Sequence, residues 1–243
     1  MRTLLLMLSL LSASACSHAP RPASPGLALQ LDFEGGFEIL SAADLVGTPA
    51  PEGLTFTSGV EGRALCVDGS GASLAIPGLE QLGLGRELTL EFFVRPDDRS
   101  QDRGNRSALQ SMVSHSDDFT LALDTQSGQL QARVATQGAA EPAQLGGGKL
   151  VPGVWHHVAL VFDGGRARAS LVLDGVEVSS AEVGSQLRLQ PGLDLVVGTW
   201  FKQNQAFLGA LDSVRLWTRV LSPAELSRRA QLVPGPAARP PNG

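Results

Sequence analysis

The chain has 243 residues, 43% of them hydrophobic and 18% charged, with a formal net charge of -5. These values suit an ordinary domain with a real core and exclude a disordered, fibrous or polytopic chain. No stripe of Lys and Arg runs along it, so no nucleic-acid partner is expected.

Residues 1–15 open with Arg2, run through an apolar stretch from Leu4 to Leu11 and end in small residues. The stretch falls short of the about 20 apolar residues that span a bilayer and has the three-part form of an export signal. Ala13-Ser14-Ala15-Cys16 resembles the lipobox of bacterial lipoproteins, which implies lipidation of Cys16 and a membrane anchor at the cell envelope, at the outer membrane in a Gram-negative cell. Ala13-x-Ala15 is also an ordinary signal-peptidase site that cuts at the same bond. Residues 16–26 then carry the lipidated Cys and a Pro/Ser-rich tether. With Cys16 lipidated, Cys66 has no partner in the chain and is expected as a small packed residue.

Between 27 and 231 the apolar residues alternate over short runs. The 28 Gly and 15 Pro fall between those runs, as frequent tight turns require. Leu27, Leu29, Leu31 and Phe33 alternate with polar or small residues in the first run. Leu88, Leu90, Phe92 and Val94 form one face of "ELTLEFFVRP", and Glu87, Thr89, Glu91 and Phe93 the other. Residues 118–136 read as a hairpin turning at Gln126-Ser127-Gly128. A second hairpin turns at Asp163-Gly164-Gly165, and Asp174-Gly175 makes another reversal. "GGGKL", 146–150, lacks the Ser or Thr that follows Lys in a phosphate loop and reads as a flexible loop. Only "SPAELSRRAQL" carries helix signals, with Ser222 as N-cap, Pro223 in the first turn and Glu225 three residues after the cap. The expected fold is all-β, a sandwich of two antiparallel sheets with a short C-terminal helix. Residues 232–243 have no periodicity and read as a disordered tail.

"EGRALCVDGSGASLAIP", "ELTLEFFVRP", "VPGVWHHVALVFDGG", "SLVLDGVEV" and "FLGALDSVRLWTRVLSPAEL", in that order, resemble the laminin-G-like domains of the concanavalin A-like lectin/glucanase superfamily. The resemblance covers about 27–231 and implies a jelly-roll sandwich, a fold that hosts lectins, hydrolases and adhesion modules. It also implies that Trp155 is core and that His157 is a satisfied structural partner beside it. His156 and His157 are adjacent, so their rings point to opposite faces of a strand and do not converge on one metal.

Glu87 and Glu91 are the carboxylate pair nearest to a glycosidase pattern, but their Cα atoms lie about 13 Å apart along an extended strand. They read as a solvated sheet face, and no catalytic residue is expected. In related jelly rolls an Asp of a near-terminal strand and oxygens of the first strand hold Ca²⁺. The matching positions are Asp212 with Asp32, Glu34 and the Gly35 carbonyl; the alternative is that Asp212 only caps backbone donors. For a ligand, the loop at 200–204 offers two aromatics, Trp200 and Phe201, with the polar Lys202, Gln203 and Asn204. Trp200 either builds a site there or closes the sandwich edge as a lid on the core. The expected function is a non-catalytic, envelope-anchored module that recognises carbohydrate. The alternative is a structural or adhesion module with an envelope or extracellular protein as partner, and glycoside hydrolysis stands third. The absence of Tyr and the presence of only three Trp limit the stacking surfaces a lectin would use.

Overall fold

The short alternating runs become two stacked antiparallel sheets in the computed structural model, which describes residues 24–49, 52–100, 108–200 and 205–234. The export signal, Cys16, the tether up to residue 23 and the tail from 235 lie outside these residues, as do Phe201, Lys202, Gln203 and Asn204. In chain order the strands are β1 (Leu27–Leu31), β2 (Leu40–Ser41), β3 (Thr48–Pro49), β4 (Leu54–Ser58), β5 (Arg63–Asp68), β6 (Leu74–Ile76), β7 (Glu87–Pro96) and β8 (Leu109–His115). They continue as β9 (Phe119–Asp124), β10 (Gln129–Val134), β11 (Ala143–Lys149), β12 (His156–Asp163), β13 (Arg168–Leu173), β14 (Val176–Glu182), β15 (Leu195–Val197) and β16 (Leu208–Trp217), followed by helix α1 (Pro223–Ala230).

Among the described residues one sheet runs β14-β13-β12-β7-β16-β1-β2, with β5 pairing β16 and β4 pairing β5. The other runs β11-β10-β9-β8-β15-β6-β3. Leu88, Leu90, Phe92 and Val94 of β7 face inward, as their alternation requires. They share one core with Val158, Leu160 and Phe162 of β12 and with Phe119, Leu121 and Leu123 of β9. Each fully buried side chain of this kind contributes about 1.5–3 kcal/mol.

The three turns expected from Gly and Asp all form. Asp174 and Gly175 both have positive φ, 50° and 79°, the conformation of the two-residue turn that matches strand twist. Helix α1 starts with a full capping box: Ser222 Oγ accepts from Glu225 N–H, and Glu225 accepts from Ser222 N–H at 2.8 Å.

Three expectations change in the folded chain. A bulge between Leu27 and Leu29 turns Leu27 onto the outer side of its sheet, where it packs beside Trp217 and Leu221, while Leu29 and Leu31 stay inside. Residues 146–149 are not a loop but part of edge strand β11, paired with β10. Glycine serves there because a Cβ at Gly147 would stand 2.8 Å from the Val178 carbonyl oxygen of β14, and the two sheet edges close against each other at that point. Glu91, expected at a solvated face, is 0% exposed. Helix α1 lies over that face, with Leu226 packed into the cluster of Ala159, Val161 and Trp217.

Candidate functional site

The outer face of the β7-containing sheet holds His157 and the carboxylates expected near an ion. His156 and His157 do point to opposite sides. His156 Nε2 accepts from Val151 N–H at 2.9 Å and Nδ1 bonds Asp174 Oδ2 at 2.8 Å, so this ring ties the 151–155 turn to the Asp174-Gly175 turn. His157 Nε2 bonds Glu91 Oε2 at 3.0 Å, and Trp217 Nε1 donates to Glu91 Oε1 at 3.1 Å. Burial pushes the Glu91 carboxyl up, but His157, Arg229 and Arg215 outweigh it and hold the group below its ordinary range. Trp155 is buried, though not between the sheets. It joins Phe93, Ala64 and Ala210 in a separate cluster on this outer face, with the Arg95 guanidinium 5.0 Å from its ring.

Asp212 and Glu34 meet the same tight turn between β4 and β5. Asp212 Oδ2 accepts from Val60 N–H at 2.8 Å and from Glu61 N–H at 2.9 Å, and Glu34 Oε1 accepts from Arg63 N–H at 2.8 Å. Asp32 Oδ1 accepts from Glu34 N–H at 3.3 Å, and the Arg63 guanidinium donates to the Glu34 carbonyl. A bulge at Ser213, whose φ is 49°, turns Asp212 outward while Val214 and Leu216 remain inside. Burial raises the Asp212 carboxyl to about 6, against the lowering effect of the two N–H groups. Each of these carboxylates is thus engaged by backbone donors. Among the described residues no group of three or more His, Cys, Asp or Glu side chains is arranged to hold a metal. In this geometry Asp212 and Glu34 both cap backbone N–H groups of the 58–63 turn.

The outer face of the second sheet carries the remaining candidate residues. Across the outer side of the second sheet the paired positions run Thr48, Ala75, Val196, Ser114, Thr120, Arg133 and Gln144 in one row. Small and polar residues predominate in this row, with Ser114, Thr120 and Val196 buried and Thr48 and Gln144 exposed at its ends, while their strand neighbours Leu74, Ile76, Leu195 and Val197 point into the core. At the Ala75–Val196 end of the row lies a hollow of about 280 Å³, walled by Ser116, Leu193, Asp194, Thr199 and Trp200.

Local chemistry fixes each wall. Gly198 has φ 103° and its N–H donates to the Met112 carbonyl, while Phe207 N–H returns to the Gly198 carbonyl at 2.9 Å. The chain therefore leaves the sheet and re-enters it at one point, projecting residue 200 over the face. The Trp200 indole Nε1–H donates to the Ser116 carbonyl at 3.2 Å. The opposite wall is anchored by Asp118, which accepts from His115 Nδ1 at 3.1 Å, Arg188 Nε at 2.9 Å and Gln190 N–H at 2.7 Å. His115 Nε2 in turn lies 3.2 Å from the Leu193 carbonyl oxygen. Burial acts to raise the Asp118 carboxyl, but these donors prevail and hold it at about 2. Such supporting bonds keep a site in shape before a ligand arrives.

The loop singled out from the sequence reaches the hollow through Trp200. The partners it meets, Ser116, Leu193, Asp194 and Thr199, were not singled out. Two of them follow Pro191-Gly192, a turn signal just before β15, and that was the one local hint available.

These features define a two-sheet antiparallel β-sandwich with a hollow on its second sheet. Residues 68–227 match the Laminin_G_3 family of the Concanavalin A-like lectin/glucanases superfamily, and the chain belongs to that family. Pentraxin-4 of Homo sapiens is 31% identical over 100 residues, covering 37% of this chain and 20% of pentraxin-4. The binding domain of Paraclostridial Mosquitocidal Protein 1 has the same fold, with a TM-score of 0.66 at 12% identity over 84% of this chain and 51% of that one. The receptor binding domain of botulinum neurotoxin D gives a TM-score of 0.68 at 8% identity, over 85% of this chain and 52% of the other. Domain 4 of AbnA, a GH43 extracellular arabinanase from Geobacillus stearothermophilus solved in complex with arabinotriose, gives 0.58 at 15% identity over 84% of this chain and 98% of that domain. This chain spans about half the length of the toxin domains and a fifth of pentraxin-4.

Proposed function

We propose that this protein is a non-catalytic binding module, exported and held at the cell envelope by a lipid on Cys16, and that it recognises carbohydrate at the hollow beside Trp200. The observation that carries the reading is the pinned indole at the rim of a hollow lined by small and polar residues. One edge of the ring is held by Ser116, and the hollow lies beside it. Sugars bind where an aromatic body meets a few directed polar groups, because their C–H faces stack and their hydroxyls need partners. The arabinotriose bound to a domain of like fold supports the same class of ligand. Glu91, the residue nearest to a glycosidase carboxylate, is wholly buried beneath α1 and has no access to substrate.

A glycan-array screen of the purified chain, run with calcium and again with chelator, tests the reading. Binding that Trp200→Ala removes without lowering the melting temperature is expected. A blank array from folded protein would transfer the function to a protein partner at the envelope. Intact mass of the exported protein tests the anchor: the expected mass includes acyl chains on Cys16, and a mass without them removes it.

A further inference from the structure

The hollow beside Trp200 does not end at its own rim. Gly192 and Asp194 also line a second hollow, of about 450 Å³, formed with Asp44, Val46, Pro77 and Glu80. Small-molecule sites enclose about 300–1,000 Å³. The first hollow alone is at the bottom of that range, and a ligand seated in both gains the second as well.

Among the described residues the charges along this path are of one sign. Asp194 stands at the junction, Asp44 and Glu80 stand beyond it, and no Lys or Arg is among the described residues lining either hollow. All three carboxylates are on exposed residues. Val46, 75% exposed, offers an apolar surface in the second hollow. In the first hollow Thr199 is 1% exposed and its hydroxyl has no partner among the described residues. A buried hydroxyl in that state can pair with a hydrogen-bonding group that enters the hollow.

We propose that the two hollows form one continuous groove for a linear oligosaccharide several sugars long, whose units carry free amino groups rather than acidic ones. The proposal rests on the carbohydrate reading above and adds to it the length and charge of the ligand. One sugar stacks at Trp200 and meets Thr199, the chain passes Asp194, and further sugars lie against Val46 between Asp44 and Glu80. Ammonium groups gain charge-assisted hydrogen bonds to these carboxylates, and uronate or sulfate groups meet like charge.

Calorimetric titration of the full chain with glucosamine, its trimer and its hexamer tests this, alongside the N-acetylated hexamer and a galacturonate hexamer. Affinity is expected to rise at least tenfold from monomer to glucosamine hexamer, to fall severalfold on N-acetylation and to vanish for galacturonate. Asp44→Asn with Glu80→Gln is expected to lower hexamer affinity at least fivefold and leave the monomer unchanged. Glu141→Gln with Glu182→Gln, which removes the same charge from exposed positions outside both hollows, is expected to change neither. Sugar binding with no gain from length, or galacturonate binding as well as glucosamine, overturns the groove and leaves the carbohydrate reading standing. No binding to any of these sugars, together with a blank array, overturns both.

Discussion

Glu91 and His157 face each other across β7 and β12, with 3.0 Å between Oε2 and Nε2 and neither side chain open to solvent. A carboxylate and an imidazole at that distance have the look of acid–base chemistry. Their surroundings assign them to the fold instead. Trp217 Nε1 takes the second carboxylate oxygen, Arg229 Nε lies 3.8 Å away, and Arg229 also reaches Glu61 at 3.0 Å, which ties α1 to the sheet.

Glu91→Gln is accordingly expected to destabilise the protein by about 2–4 kcal/mol, because it removes the buried charge that the Arg229 guanidinium faces and leaves a single oxygen where His157 and Trp217 each had one. Urea denaturation checks this, and a loss under about 0.5 kcal/mol would refute the tie. No reducing sugar should be released from β-glucans by either protein; release that the variant loses would make Glu91 catalytic.

Asp118 predicts an acid limb. Its folded pKa of about 2 lies below the unfolded value of about 3.9. Its contribution is therefore present above pH 4 and disappears as the pH falls toward 2. Asp118→Asn should cost about 2 kcal/mol at neutral pH, since one amide oxygen cannot serve the donors of His115, Arg188 and Gln190 together. Melting curves from pH 2 to 7 should converge for the two proteins at the acid end. Weakened glycan binding in the variant would follow from a loosened 188–194 wall.

Asp212 works in the opposite sense and in a different window. Its folded pKa, about 6, exceeds its unfolded value, so the folded state holds the proton more tightly. That contribution is complete below about pH 4 and is lost as the pH rises through 6, with a ceiling of roughly 3 kcal/mol. Asp212→Asn keeps an acceptor for the Val60 and Glu61 N–H groups and carries no charge. It should match or exceed the parent in melting temperature at pH 7.5 and show no advantage at pH 4. A loss at pH 7.5 that disappears at pH 4 would mean that the carboxylate charge itself is needed.

Calcium offers a related check. With Asp212 and Glu34 engaged by backbone donors, chelator is expected to leave the melting temperature unchanged at pH 7.5. A drop of several degrees would assign both carboxylates to a bound ion, because a ligand that binds only the folded state raises its stability.

What the sequence determined by itself is local and periodic. The inward face of β7, the Asp174-Gly175 reversal and the capping box of α1 each depend on residues within a few positions of one another, and each is legible there. The histidine pair was legible in the same way, since neighbours on a strand must diverge. Which outer face is covered, and by what, only the tertiary structure decided. Alternation places Glu91 away from the core but says nothing of a helix more than a hundred residues later that buries it. The Gly146-Gly147-Gly148 run carries no strand signal, because what makes it a strand is pairing with β10 and close approach to Val178. The site divides along the same line. Trp200 stands out in a polar loop, whereas Ser116 and Leu193 join it around the hollow only through bonds spanning seventy or more positions. Side-chain periodicity is a property of the local backbone; burial, charge pairing and the shape of a hollow depend on which distant strands the fold brings together.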